Sequence, residues 1–136
     1  MDDVDRLDAL ARMLDRALTR AFESALADRS TTSAEFVMLS VLAAADGPLA
    51  WEAVEARLPV GYTPARATDA WNGLEAGGWA AEVDGRHVAT DEGLEALEAL
   101  HGEIERLHDH ARDGISDEDY AVAVRVLRTM RDNVED

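Results

Sequence analysis

The chain has 136 residues, enough for one domain or for one domain extended by helices that pair with a second copy. Apolar residues make up 47% and aromatics 5%, with alanine and leucine prominent, a balance that favours helix over sheet. There is no cysteine, which excludes disulfides, thiolate metal sites, cysteine nucleophiles and thiol redox sensing.

Net charge is −16, and all 13 basic residues are arginine. The acidity is graded: residues 1–30 carry net −2, residues 31–90 net −5, and residues 91–136 five arginines against fourteen acids, net −9. Such a surplus keeps a protein soluble and disfavours nonspecific adhesion to nucleic acid or anionic membrane. It reads either as a compositional habit of the source or as a surface made for a basic partner. The opening MDDVDR is acidic and has no apolar signal core. The longest largely apolar run, Phe36 to Ala45, is about half the ~20 residues a bilayer span needs. A soluble, cytoplasmic protein without membrane association is therefore expected.

Leu7, Leu10, Leu14, Leu18, Ala21 and Ala25 step by three or four and predict a first amphipathic helix of about 25 residues. Thr32-Ser-Ala-Glu35 fits a capping box, opening a second helix that carries Phe36, Leu39, Val41 and Leu42 and stops at Asp46-Gly47-Pro48. A short third helix spans about Ala50 to Leu58, with Trp51, Val54 and Leu58 on one face, and is broken by Pro59 and Gly61. Thr63-Pro64 starts a fourth, because threonine caps and proline needs no amide donor in the first turn. Its inward face is Ala67, Ala70, Trp71 and Leu74, and Gly77-Gly78 ends it.

Trp79–Val83 and His87–Thr90 flank Asp84-Gly85-Arg86, a strong hairpin signal. Leu94, Leu97, Leu100, Ile104 and Leu107 then define a long fifth helix, capped at Thr90 or Asp91 and released at Gly114. Ser116 caps a sixth, with Tyr120, Ala123, Val124, Leu127, Met130 and Val134 inward. The predicted order is α-α-α-α-β-β-α-α, a mainly helical fold with a small hairpin wing. Helices three and four followed by the hairpin make a winged helix-turn-helix. The long flanking helices are too slender to bury their stripes alone, so a homodimer is expected.

From about Ser33 to Val134 the sequence resembles the MarR family (multiple antibiotic resistance regulator) of winged helix-turn-helix transcription factors. The resemblance rests on five pieces in order. AEFVMLSVLAAADGPLAWEAVEARL leads in, and ARATDAWNGLEAGGWA supplies a recognition helix and its exit. The tip Asp84-Gly85-Arg86 is similar to the family's Asp-x-Arg, and ATDEGLEAL to its Leu-Thr-x-x-Gly start of a dimerisation helix, with Ala89 in the leucine position. GISDEDYAVAVRVLRTMRDNV is similar to the last helix. The resemblance implies an N-terminal dimerisation helix over 1–32, a DNA-binding domain over 33–90 and C-terminal dimerisation helices over 91–136. It further implies a repressor of pseudo-palindromic operators, released by a small phenolic or anionic effector bound between the dimerisation and DNA-binding parts. The expected pocket draws on the first, second and fifth helices.

The inward face of the fourth helix leaves Ala65, Arg66, Thr68, Asp69, Asn72 and Gly73 looking out. Arg66 suits a guanine, Asn72 an adenine, Asp69 a cytosine N4, and Thr68 a thymine methyl or a phosphate. Thr63 and the free amides of the helix start suit a phosphate oxygen. Arg86, in the place of the family's minor-groove arginine, with His87 beside it and Arg57 on the third helix, completes the predicted DNA-binding set. Three arginines in each of two protomers make six cations, comparable to the ~6–10 phosphate contacts of ordinary DNA-binding proteins. The bland alternatives are an Arg66–Asp69 pair within the helix, a merely polar hairpin tip, and Trp51, Trp71 and Trp79 as core.

No nucleophile is paired with an oriented base and no glycine-rich phosphate loop occurs, so neither an enzyme nor a cofactor is predicted. His101, Glu105 and His108 at i, i+4 and i+7 have ligand spacing for a divalent ion but read as a solvated acidic face, and no metal is predicted. The rival function is an acidic winged-helix interaction protein that has lost operator binding and sequesters a protein partner. Asp69, Gly73, the short wing and the −32 of a dimer (twice −16) favour it, and the Asp-Gly-Arg tip opposes it.

Overall fold

The computed structural model describes residues 6–135. Its elements run α1 (Leu7–Ala27), α2 (Ser33–Ala44), α3 (Trp51–Arg57), α4 (Pro64–Ala76), β1 (Ala80–Val83), β2 (Arg86–Ala89), α5 (Asp91–Ala111) and α6 (Asp117–Glu135). This is the order read from the sequence. The chain divides into two compact units inside α5, one ending at Ile104 and the other beginning at Glu105.

In the first unit the helix starts are set by side chains. The Thr32 hydroxyl accepts from the Glu35 amide at 3.2 Å while the Glu35 carboxylate accepts from the Thr32 amide, closing the predicted box. Thr63 caps α4 by accepting from the Arg66 amide at 3.1 Å, with Pro64 at the first helical position. Such caps satisfy amides that would otherwise lack partners, each stabilising its helix by ~1 kcal/mol.

The core is built around α2, which is apolar on nearly every side because other elements surround it. Met38, Leu39 and Leu42 meet Val54 of α3, Ala67, Ala70, Trp71 and Leu74 of α4, Ala80 of β1 and Leu97 of α5. Met38 is fully buried, whereas Val41 is half-buried. Among so many apolar positions, spacing alone does not select the buried face. At the end of α1, Leu26 is fully buried and Phe22 sets its ring edge-on to Phe36 at 5.2 Å.

β1 and β2 pair antiparallel from Ala80↔Ala89 to Val83↔Arg86. Asp84 (φ +52°) and Gly85 (φ +76°) form the two-residue turn, matching the left-handed requirement of a tight hairpin. Leu49 adds a single-residue third strand. Its N–H donates to the His87 carbonyl at 2.9 Å and its own carbonyl accepts from His87 N–H at 2.7 Å.

The hairpin is clasped to α5 by Thr90. The Thr90 hydroxyl donates to the Gly78 carbonyl at 2.7 Å and accepts from Gly93 N–H at 3.0 Å, and the Thr90 amide donates to the Trp79 carbonyl at 3.0 Å. Gly93 is buried against that carbonyl, so closely that a Cβ would overlap its oxygen. The Thr-x-x-Gly spacing is thus a packing device: threonine grips the turn and glycine lets two backbones touch.

In the second unit, Gly114 (φ +80°) turns the chain and Ser116 caps α6 by accepting from the Asp119 amide at 3.1 Å. Arg112 stacks 3.8 Å from the Tyr120 ring centroid and bonds Asp117 at 2.9 Å, bracing that turn. No residue of α6 is buried. Its predicted inward face is open: Tyr120, Leu127 and Met130 are each about two-fifths exposed and Val134 is 84% exposed. Nothing else within this small unit can cover a 19-residue helix.

Candidate nucleic-acid interface

α4 has one face in the core and the other in solvent. With Ala67, Ala70, Trp71 and Leu74 buried, the 3.6-residue period turns Thr63, Arg66, Thr68, Asp69 and Asn72 outward, and all five are exposed. These are polar groups on a rigid helix, with donors and acceptors that suit base edges.

Gly73 is placed differently from the expectation. It is half-buried beneath the Glu35 carboxylate, and a Cβ there would stand 2.5 Å from Glu35 Oε2. It therefore serves the α2–α4 contact and leaves the outward row. Arg66 does not pair with Asp69 among the ion pairs of the described residues. Its guanidinium lies instead over the Tyr62 ring, 4.3 Å from the centroid. Tyr62 went unnoticed in the sequence, although an aromatic four residues before the arginine was the available signal.

Arg86 and His87, adjacent in the wing, face opposite ways. Arg86 is exposed, opposite Val83 beside the turn. His87, expected next to it at the interface, points the other way and is only 9% exposed. Its ring centroid is 4.4 Å from that of Trp71 and 5.2 Å from that of Trp51, and Nδ1 is 3.3 Å from the Leu49 carbonyl oxygen. Successive strand residues face opposite sides, so Arg86 and His87 cannot both look out. Because Leu49 anchors the sheet at His87, the wing extends only two residues past that anchor, about 7 Å at ~3.3 Å per residue.

Arg57 is exposed in the last turn of α3. It borders a mainly apolar hollow of about 480 Å³ with Phe36, Val37, Ser40, Val41, Ala44 and Pro59, on the outer side of α2. Arg66 borders another cavity, of about 410 Å³, with Glu23 and Leu26 of α1, the Thr31–Thr32 turn, and Ser33 and Ala34 of α2. This cavity lies between α1, α2 and α4. His101, the first of the three residues with ligand spacing, sets its ring edge-on to Phe36 at 5.8 Å. No helix among the described residues is long and apolar enough to cross a membrane.

No family model matches the sequence, and no curated protein matches it. Solved structures do. A MarR family protein from Bacillus stearothermophilus superposes with a TM-score of 0.74 at 22% identity, covering 100% of this chain and 99% of that one. MepR, a transcription regulator of the Staphylococcus aureus multidrug efflux pump MepA, gives 0.81 at 16% identity over 95% and 98% of the two chains. BpsR of Bordetella bronchiseptica, whose DNA binding is regulated by 6-hydroxynicotinic acid, gives 0.67 at 19% identity over 96% and 97%. From α1 to α6, this chain has the winged-helix fold of MarR family proteins.

Proposed function

We propose that the protein is a MarR-like transcriptional regulator, a repressor that binds pseudo-palindromic duplex DNA as a homodimer. The observation that carries this reading is α4, whose apolar face is sunk in the core while Arg66, Thr68, Asp69 and Asn72 stand exposed in a row. In the major groove, Arg66 donates bidentately to guanine, Asn72 pairs with adenine, and Asp69 accepts from cytosine N4. Thr63 and the start of α4 hold a phosphate oxygen, Arg86 adds a cation from the wing, and Arg57 adds one from α3. His87 takes no part in contact and fixes the base of the wing. Dimerisation is supported by the open stripe of α6 and by Leu7, Leu10, Met13 and Leu14 of α1, each at least 42% exposed. Burying such stripes favours association by ~25 cal/mol per Å² of apolar surface.

Release by a small effector is part of the proposal. The cavity beside Arg66 favours it, since a molecule held there sits against a side chain that reads DNA. The rival reading, an acidic interaction protein without operator affinity, is favoured by the short wing and by the net charge of −16.

Fluorescence anisotropy against duplexes from the region upstream of its own coding sequence separates the two. A regulator prefers particular duplexes and loses affinity with salt, at a log–log slope near −5 for about six neutralised phosphates per dimer. An intact dimer with no preference over random DNA at low salt favours the rival.

A further inference from the structure

Arg66 is one of only three arginines between residues 31 and 90, in a segment that carries eight acids. Carboxylates surround its reach: Asp69 lies three residues on along the same exposed helix face, and Glu23 borders the same cavity. An ion pair with either would occupy the N–H donors that a guanine needs. The structure shows another arrangement. The guanidinium stacks on the half-buried Tyr62 ring, 4.3 Å from its centroid, and joins no ion pair among the described residues.

Tyr62 is itself held. Its amide donates to the Pro59 carbonyl at 3.4 Å across a turn in which Gly61 adopts φ +101°, and Thr63 immediately after it caps α4 through the Arg66 amide. The same short segment thus fixes both the backbone and the side chain of Arg66. Stacking engages the flat face of the guanidinium and leaves its in-plane N–H groups free, which a carboxylate partner would not.

We infer that Tyr62 is a positioning residue for base recognition, holding Arg66 by its π face so that its hydrogen-bonding edge stays available to DNA despite the neighbouring acids. The inference rests on the regulator reading above. It names a residue outside the contact row as a determinant of specificity.

The test begins with a duplex selected from a randomised pool by the wild-type protein, compared with a scrambled duplex by anisotropy. Tyr62→Leu keeps an apolar side chain but removes the ring. An exposed cation–π contact corresponds to roughly two- to fivefold in affinity, so with two protomers Tyr62→Leu weakens binding to the selected duplex by about 5–30-fold. Binding to the scrambled duplex, which depends on net charge, changes little. Tyr62→Phe retains the stacking face and restores the preference. In an Arg66→Ala background, Tyr62→Leu has no further effect.

Wild-type selectivity in Tyr62→Leu, or an undiminished loss in the Arg66→Ala background, overturns the inference while leaving the regulator reading intact. Failure of the pool to yield any preferred duplex overturns that reading and this inference with it. Should Tyr62→Leu not fold, NMR of the wild type decides: ring-current-shifted Arg66 side-chain protons support the stack, and unshifted ones overturn it.

Discussion

Replacing Gly93 with alanine sets two effects of opposite sign against each other. In an exposed helix the change stabilises by about 1 kcal/mol, because alanine is the better helix former. At Gly93 the added Cβ would overlap the Trp79 carbonyl oxygen and lie 2.9 Å from its carbon. Both are backbone atoms of a segment that Thr90 clasps by hydrogen bonds of 2.7 and 3.0 Å, so neither can swing aside. Overpacking of this kind costs about 1–3 kcal/mol. Loosening the two clasp bonds from Thr90 and the one from Gly93 N–H adds about 1 kcal/mol for each that is lost. The net expectation is a loss of about 2–4 kcal/mol, which for a chain of this size lowers Tm by about 10 °C. Thermal unfolding followed by circular dichroism measures it, at one fixed protein concentration because the proposed dimerisation would make Tm concentration-dependent. Gly73→Ala is the comparison. Its Cβ meets the far end of the Glu35 side chain, which can rotate away, so cap loss and helix gain nearly cancel, to within about 1 kcal/mol. Gly93→Ala melting at or above the wild-type temperature would refute the steric account of the Thr-x-x-Gly spacing.

Arg66→Ala is expected to relax base preference by about 1–3 kcal/mol at the contacted base, whereas Arg86→Ala weakens selected and random duplexes alike and lowers the salt slope by about 2 per dimer; anisotropy at several salt concentrations distinguishes them. His87→Ala removes two aromatic contacts worth about 0.5–1.5 kcal/mol each, so it lowers thermal stability by about 1–3 kcal/mol without altering base preference, and a preference that changes at constant stability counts against the buried role. Leu127→Glu places a charge on the open stripe of α6 and is expected to break the proposed dimer into monomers in analytical ultracentrifugation; an unchanged mass removes α6 from the association surface.

Much of this architecture is legible locally. Thr32 with Glu35, Thr63 with Pro64, Ser116, and Asp84-Gly85 act over two to four residues, so the sequence alone determines where α2, α4, α6 and the wing turn begin. The inward phase of α4 follows from Ala67, Ala70, Trp71 and Leu74 because a single apolar stripe leaves one way to bury it, and the exposed row follows in turn. Strand alternation already held the answer for His87, since an exposed Arg86 forces its neighbour inward.

Other features depended on partners distant in the chain. Leu49 pairs across 38 residues with His87 through one bridge, too short for any periodicity to announce, and that bridge determines how far the wing projects. Gly73 belongs to Glu35 of α2, Gly93 to the Trp79 carbonyl, and Arg57 to the outer wall of α2. α2, apolar almost all round, acquires a buried face only when α3, α4, β1 and α5 close on Met38, Leu39 and Leu42. Caps, turns and stripes are settled by neighbours within one or two turns of chain. Which glycine must stay bare, which arginine faces solvent and how far a hairpin reaches are settled only when remote backbones come into contact.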